Sequence, residues 1–193
     1  MRKIIAALQT SLDGRIEGPN GELDWIEGWD DGFGVMDEID TCILGGGMYP
    51  GYEQYWTSIL SNPDGVLEFT GRPATDGEKA YAAFADRTPH LVVSTTLKNV
   101  NWSVAALVRD LEEIRQAKAG PGRAMHLVGG AGLVASMINA GLVDELRLLV
   151  HPLVLGPGKG LFDSVSHRHA LKFVRSKALD GGRMLNVYAL AAG

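Results

Sequence analysis

The sequence predicts an α/β domain: a mainly parallel sheet with helices on both faces and an antiparallel hairpin at its C-terminal edge. Three observations carry this. Residues 125–146 read strand, glycine turn, helix, strand. Before them, apolar runs that suit buried strands alternate with helical patterns. After them, strand follows strand with no helix between. The 193 residues suit one domain, 1–193, with a substantial core. No internal repeat or domain boundary interrupts it.

In chain order, Arg2–Leu8 is a short apolar segment that fits a buried first strand. Gln9–Glu27 is polar and glycine-marked, with turn signals at Asp13-Gly14 and Asn20-Gly21; a loop of this length is usually functional or mobile. Asp31–Ile39 predicts a short helix with Phe33 and Met36 inward. Thr41–Leu44 is a second strand, ending in Gly45-Gly46-Gly47, and Pro50 opens a helix carrying Tyr52, Tyr55 and Trp56. Ser58–Asp76 reads as surface loop. Gly77–Ala85 is a short helix before the strand His90–Val93, whose end bears Ser94, Thr95 and Thr96. Ser103–Lys118 reads as an amphipathic helix capped by Ser103, with Ala106, Leu107, Leu111 and Ile114 apolar. Met125–Val128 is a strand. The helix after it shows Leu133, Met137, Ile138 and Leu142 at one-face spacing, with Gly141 as a left-handed cap. Val143–Leu155 is a long strand candidate containing Pro152. Leu171–Leu179 and Met184–Leu190 form a hairpin around Asp180-Gly181-Gly182.

Composition bounds the function. Hydrophobic residues make up 46% and charged residues 21%, as in ordinary soluble domains. A net charge of −5 argues against nucleic acid or an anionic membrane as partner. Cys42 is the single cysteine, in an apolar run, so it reads as a small buried hydrophobe. No apolar run reaches membrane-spanning length and no signal-peptide core opens the chain, so a cytoplasmic protein is expected.

The chemistry points to strand ends. Gly129-Gly130-Ala131-Gly132 lies between a strand and a helix, where glycine admits close approach of a ligand to bare backbone. The helix N-terminus offers unpaired N–H groups to an anion such as a pyrophosphate. Gly130-x-Gly132-x-x-Ala135 satisfies the dinucleotide-turn pattern, but it comes late in the chain and Asp144-Glu145 open the next strand instead of closing it. The ordinary Rossmann arrangement is therefore not expected, and a packing turn without ligand is the bland alternative. Gly45–Gly47 repeats the strand–glycine–helix logic, and the hydroxyls of Ser94–Thr96 end a third strand. Asp13 follows the first strand and is a candidate crevice acid, although Asp-Gly is also a common turn. Trp25 and Trp29 are candidates to wall a planar substrate, and His151 sits at a strand end within reach of the crevice. His167 and His169 lack a third ligand, so no metal site is expected.

Several of these segments are familiar together. Ile5-Ala-Ala-Leu8, Ser11-Leu-Asp-Gly-Arg-Ile16, Ile39–Gly45, Val128-Gly-Gly-Ala-Gly132, Gly141–Glu145 and Pro152-Leu-Val-Leu-Gly-Pro-Gly-Lys-Gly-Leu-Phe162 resemble the dihydrofolate reductase-like superfamily. The nearer match is the branch containing the pyrimidine reductase domain of riboflavin biosynthesis, and it runs over nearly the whole chain. The resemblance implies a central sheet of about eight strands with NADPH across the strand ends. It places Ala7 and Ile16 beside the nicotinamide, and Gly129, Gly130, Gly132, Leu133 and Val134 at the nicotinamide side and pyrophosphate. Ser94 and Thr95 fall near the adenosine phosphate, and Asp13 matches the shared acid on the substrate side.

One departure stands out. The family carries G-R-x-T-Y after the second strand, where this chain has Gly45-Gly46-Gly47-Met48-Tyr49. Both anion-gripping side chains are missing, which leaves NADH open beside NADPH. If that loop holds the adenosine phosphate, an arginine placed at Gly46 is expected to sharpen the preference for NADPH. The expected function is NAD(P)H-dependent reduction of a small heterocyclic (pyrimidine- or pterin-like) or carbonyl substrate by hydride transfer. The alternative is a nucleotide-binding or ligand-sensing domain on the same fold. A homodimer is expected through the C-terminal hairpin, with Leu185, Val187 and Tyr188 on the pairing strand.

Overall fold

The computed structural model describes residues 1–190. Eight strands form one sheet. They are β1 (Ile4–Ser11), β3 (Ile39–Gly45), β4 (His90–Val93), β5 (Ala105–Val108), β6 (Ala124–Gly129), β7 (Glu145–His151), β9 (Leu171–Ala178) and β10 (Met184–Leu190), in the order β5-β4-β3-β6-β1-β7-β10-β9. The first six in that order are parallel, and β10 runs antiparallel to both β7 and β9. A separate antiparallel ribbon joins β2 (Arg15–Glu17) to β8 (Lys159–Gly160).

β1 is buried along its whole length, and its alternate side chains feed two cores. Ile5 and Ala7 point into one with Tyr52, Trp56 and Ile59 of α1 (Tyr49–Ser61) and Tyr81 and Phe84 of α2 (Asp76–Ala85). Ile4, Ala6 and Leu8 point into the other with Ile114 of α3 (Leu111–Ala119) and Val134, Met137 and Ile138 of α4 (Ala131–Asn139). Each fully buried aliphatic side chain contributes about 1.5–3 kcal/mol of transfer free energy, so a strand buried on both faces anchors both layers. Cys42 is buried as expected, and burial pushes its thiol up to about 12.

Three expectations are corrected. Residues 103–118 are not one helix: Ala105–Val108 pair in parallel with β4, and α3 starts only at Leu111. There Asp110 caps it, accepting from the backbone N–H of Glu112 and Glu113. Residues 31–38 are turns and Ile39 opens β3, because the Asp31 carboxylate accepts from the backbone N–H of Val35 (2.8 Å) and Met36 (2.9 Å), and Gly34 takes φ 67°. β7 ends at His151, where Pro152 has no N–H to continue the ladder.

Of the hairpin residues named for a dimer contact, Leu185 and Val187 are buried against Leu149 within the chain. Of the sheet's two edge strands, β5 and β9, β9 is exposed throughout, with Phe173 59% and Val174 50% exposed.

Candidate functional site

The chain leaves β3 toward β4 through helices on one face, and leaves β6 toward β7 through a helix on the other. Adjacent parallel strands with diverging connections open a crevice at their C-terminal ends. Both glycine turns sit there. Gly129 and Gly130 take φ 144° and 36°, values that side chains rarely adopt. A β-carbon on Gly45 would lie 3.7 Å from the Gly129 carbonyl and from Leu133 Cβ, and one on Gly129 would lie 3.4 Å from Leu8 and 3.5 Å from Met48 Sδ. Gly45, Gly129, Leu133, Leu8 and Met48 therefore meet. Around them Gly47, Gly130 and Gly132 present bare backbone to open space.

The helix ends fit the same picture. α2 has a capping box between Thr75 and Glu78, and α3 has Asp110; both carry acids in their first turns. α1 and α4, which start at the crevice, have neither a side-chain cap nor an acidic residue in the first turn. The N–H groups of Ala131, Gly132 and Leu133 find no acceptor among the described residues. Unpaired donors and the positive end of the helix dipole favour an anion there. A dinucleotide pyrophosphate fits this cradle, which side chains at Gly130 and Gly132 would fill.

The other candidates divide. Ala7 (2% exposed) lies in the core that α1 covers, and Ile16, partly buried, packs against the opposite core, as Leu133 does. Val134 is wholly buried in α4 and shapes the turn from behind. Ser94 ends β4 next to Gly46, and Thr95 is exposed beside it.

Asp13 is a loop anchor. Its carboxylate accepts from the Ser11 hydroxyl (2.7 Å) and from the backbone N–H of Leu155 (3.0 Å) and Gly156 (2.8 Å), tying the first turn to the glycine loop after β7. The Ser11 and Leu155 bonds, with a smaller contribution from Gly156, hold its pKa at about 2.

The two tryptophans have different aromatic neighbours. Trp25 meets His151 edge-on, with ring centroids 5.0 Å apart, while Trp29 joins Tyr55 (5.3 Å) and Phe69 (5.2 Å). His151 is buried and bonded to Gln9, which ties it to the loop through the Gly28 carbonyl. Trp29 is held by Glu78, a wholly buried carboxylate that takes the Trp29 N–H, the Tyr55 hydroxyl, the Thr75 N–H and both terminal nitrogens of Arg72. Burial opposes ionisation, but the Arg72, Thr75 and Tyr55 bonds prevail and bring it to about 2. Tyr55 and Phe69 line a groove of about 680 Å³ between α1 and residues 65–69, whose polar lining includes Gln54, Ser58 and Asn62.

Sequence reasoning missed Leu8, Met48, Phe69 and Glu78. The Thr75-x-x-Glu78 capping-box spacing was the one local signal among them.

Residues 2–185 match the RibD C-terminal domain family. The chain belongs to that family. A Bacillus subtilis relative, the uncharacterized protein YyaP, is 38% identical over 191 residues, covering 97% of this chain and 94% of the relative. Among solved structures, a putative riboflavin biosynthesis protein from Shewanella sp. PV-4 superposes with a TM-score of 0.67 at 19% identity, over 99% of each chain. Enterococcus faecalis dihydrofolate reductase, complexed with NADP(H), superposes with a TM-score of 0.60 at 15% identity, over 97% of this chain and 96% of that one. The dihydrofolate reductase-like fold of this RibD-type branch is therefore shown.

Proposed function

We propose that this RibD-type domain is an NAD(P)H-dependent reductase of a small, planar heterocyclic or carbonyl substrate. The observation that carries the reading is the paired glycine turns at the ends of β3 and β6, with two uncapped helix N-termini beside them. A nicotinamide dinucleotide supplies hydride chemistry when bound. The chain's residues bind and orient: the Gly129–Gly132 backbone receives the pyrophosphate, and Gly45–Gly47 and Ser94-Thr95 receive the adenosine end. Leu8, Met48 and Leu133 give an apolar surface that excludes water from the reacting ring. We assign the substrate to the groove lined by Gly51, Tyr55 and Phe69, which runs along α1 from its first turn, next to Gly45–Gly47. Asp13 keeps the β1 and β7 loops together.

The loop Gly45-Gly46-Gly47-Met48-Tyr49, which lacks the two anion-gripping side chains, favours a second reading, a nucleotide-binding or ligand-sensing domain without turnover. Fluorescence titration with NADPH and NADH, followed by cofactor oxidation against a panel of heterocycles and carbonyls, separates the two. Saturable binding with oxidation supports a reductase, and stoichiometric binding without oxidation supports the sensor. Absence of saturable binding by either dinucleotide would end both.

A further inference from the structure

Basic side chains are spread unevenly along this chain. Between Arg15 and Arg72 there is no lysine or arginine, while twelve aspartates and glutamates fall in the same interval. The interval therefore carries −12 in a chain whose net charge is −5. It supplies the loop before β3, all of α1 and every residue lining the groove beside α1. Nor can a cation be added just before α1. A β-carbon on Gly46 would stand 2.5 Å from both Cβ and Oγ of Ser94, so the gain expected from an arginine there is withdrawn. The next basic residues are engaged elsewhere. Arg72 gives its terminal nitrogens to Glu78 and to the carbonyls of Glu27 and Pro73, and Lys79 pairs with Asp64 at 2.7 Å.

The hydroxyls of the groove are committed as well. Ser58 donates to the Tyr55 carbonyl (2.7 Å), Ser61 to the Thr57 carbonyl (2.9 Å), and the Tyr55 hydroxyl to Glu78 (2.9 Å). Each hydroxyl has one hydrogen, so these three oxygens have only lone pairs left to offer. Glu68 adds a carboxylate to the same lining, and the carboxamides of Gln54 and Asn62 are the uncharged donors that remain. The groove follows α1 to its C-terminal end, where the helix dipole is negative and no basic residue stands in the last turn.

We propose that this groove selects a ligand that donates hydrogen bonds and carries neither phosphate nor carboxylate: an amino-substituted heterocycle or its unphosphorylated nucleoside. An anionic group there would meet acceptor oxygens within the field of the acidic interval, with no cation in the lining to offset them. A ring amine or a sugar hydroxyl pairs with those same oxygens, and the rings of Tyr55 and Phe69 give it apolar contact. The site thus divides by charge. The anionic dinucleotide belongs at the glycine turns, and a neutral or cationic substrate belongs along α1.

The inference rests on the groove being the substrate site, and the test separates the two failures. Cytidine and guanosine, their 5′-amino-5′-deoxy analogues and their 5′-monophosphates are titrated by calorimetry at low salt. NADP+ is kept in excess so that no probe enters the dinucleotide cradle. The proteins are the wild type, Glu68→Lys and Phe69→Ala. The wild type should bind each nucleoside at least about tenfold more tightly than its monophosphate, and each amine at least as tightly as the nucleoside. Glu68→Lys should narrow the nucleoside-to-monophosphate ratio by about three- to tenfold, the scale of one reversed charge near the surface. Phe69→Ala should weaken all the probes together by about tenfold, which places them in the groove. Equal or tighter binding of the monophosphates by the wild type overturns the proposal, as does a ratio that Glu68→Lys leaves unmoved. Binding that Phe69→Ala does not alter lies outside the groove; it removes the substrate assignment, and this inference with it. A wild type that binds no nucleoside at millimolar concentration overturns the proposal as well.

Discussion

His151 and Gln9 lock the ends of β7 and β1 together: His151 Nε2 donates to Gln9 Oε1 at 2.7 Å, while Gln9 Nε2 donates to the Gly28 carbonyl at 2.9 Å. One relay thus joins two central strands to the loop that carries Trp25 and Trp29. Burial, with Arg183 adding to it, pushes the His151 pKa below its ordinary value.

A pH dependence of stability follows. Burial holds His90 and His126 at about 4, against 6.5 for the free side chain. Below about pH 6.5 the unfolded chain takes up protons that these buried imidazoles refuse. Their contribution is fully present above that pH and is lost as pH falls toward 4. Urea midpoints should decline steadily across that window; a flat midpoint would contradict neutral, buried histidines.

Glu78 should matter more than its place in a short helix suggests. Glu78→Gln removes the charge facing Arg72 and weakens the hold on Trp29. The expected loss is about 2–4 kcal/mol, moderated because the Arg72 side chain is 32% exposed. Tryptophan emission should shift to the red in the folded variant. A loss near zero in urea denaturation would show that the hub is dispensable.

The open edge at β9 should hold a second copy of the chain. Leu171 and Phe173 lie two residues apart on one face of a strand exposed throughout, and Phe173→Glu places a charge in that face. Light scattering at micromolar concentration should show a wild-type dimer and a Phe173→Glu monomer. A monomeric wild type would rule the interface out.

Phe69→Ala should weaken substrate binding in the groove beside α1 by about tenfold, the scale of one aromatic contact with its buried area, and leave cofactor affinity unchanged. Equal losses for substrate and cofactor would mean that the groove is not a separate subsite.

The sheet, its C-terminal hairpin and both glycine turns were legible in the sequence because strand runs and glycine junctions are local signals. The helix expected at 103–118 failed because Leu107, Leu111 and Ile114 meet helical spacing while Leu107 belongs to a strand; four residues of β5 are too few to show a period of two. The turns at 31–38 depend on one aspartate bonding two N–H groups, which competes with a helix without altering its apolar pattern. The crevice's glycines could be read, but Leu8 and Met48 could not. They reach it from two strand ends that adjoin only in the folded sheet.

The central claim is that the uncapped start of α4 is kept open for an anion. Gly132 tests it most directly, because its φ is ordinary and a side chain there meets nothing within 4 Å. An aspartate in a first helical turn favours the helix by about 0.3–1 kcal/mol through the dipole, and replacing a helical glycine adds to that. Gly132→Asp should therefore fold at least as stably as the wild type and yet bind NADPH at least about a hundredfold more weakly, since its carboxylate occupies the anion's place. Thermal midpoint and NADPH dissociation constant are measured on the same sample. A stable variant with lost binding is the predicted result. A stable variant with unchanged affinity would contradict the account, because the start of α4 would then be a packing turn and not an anion site.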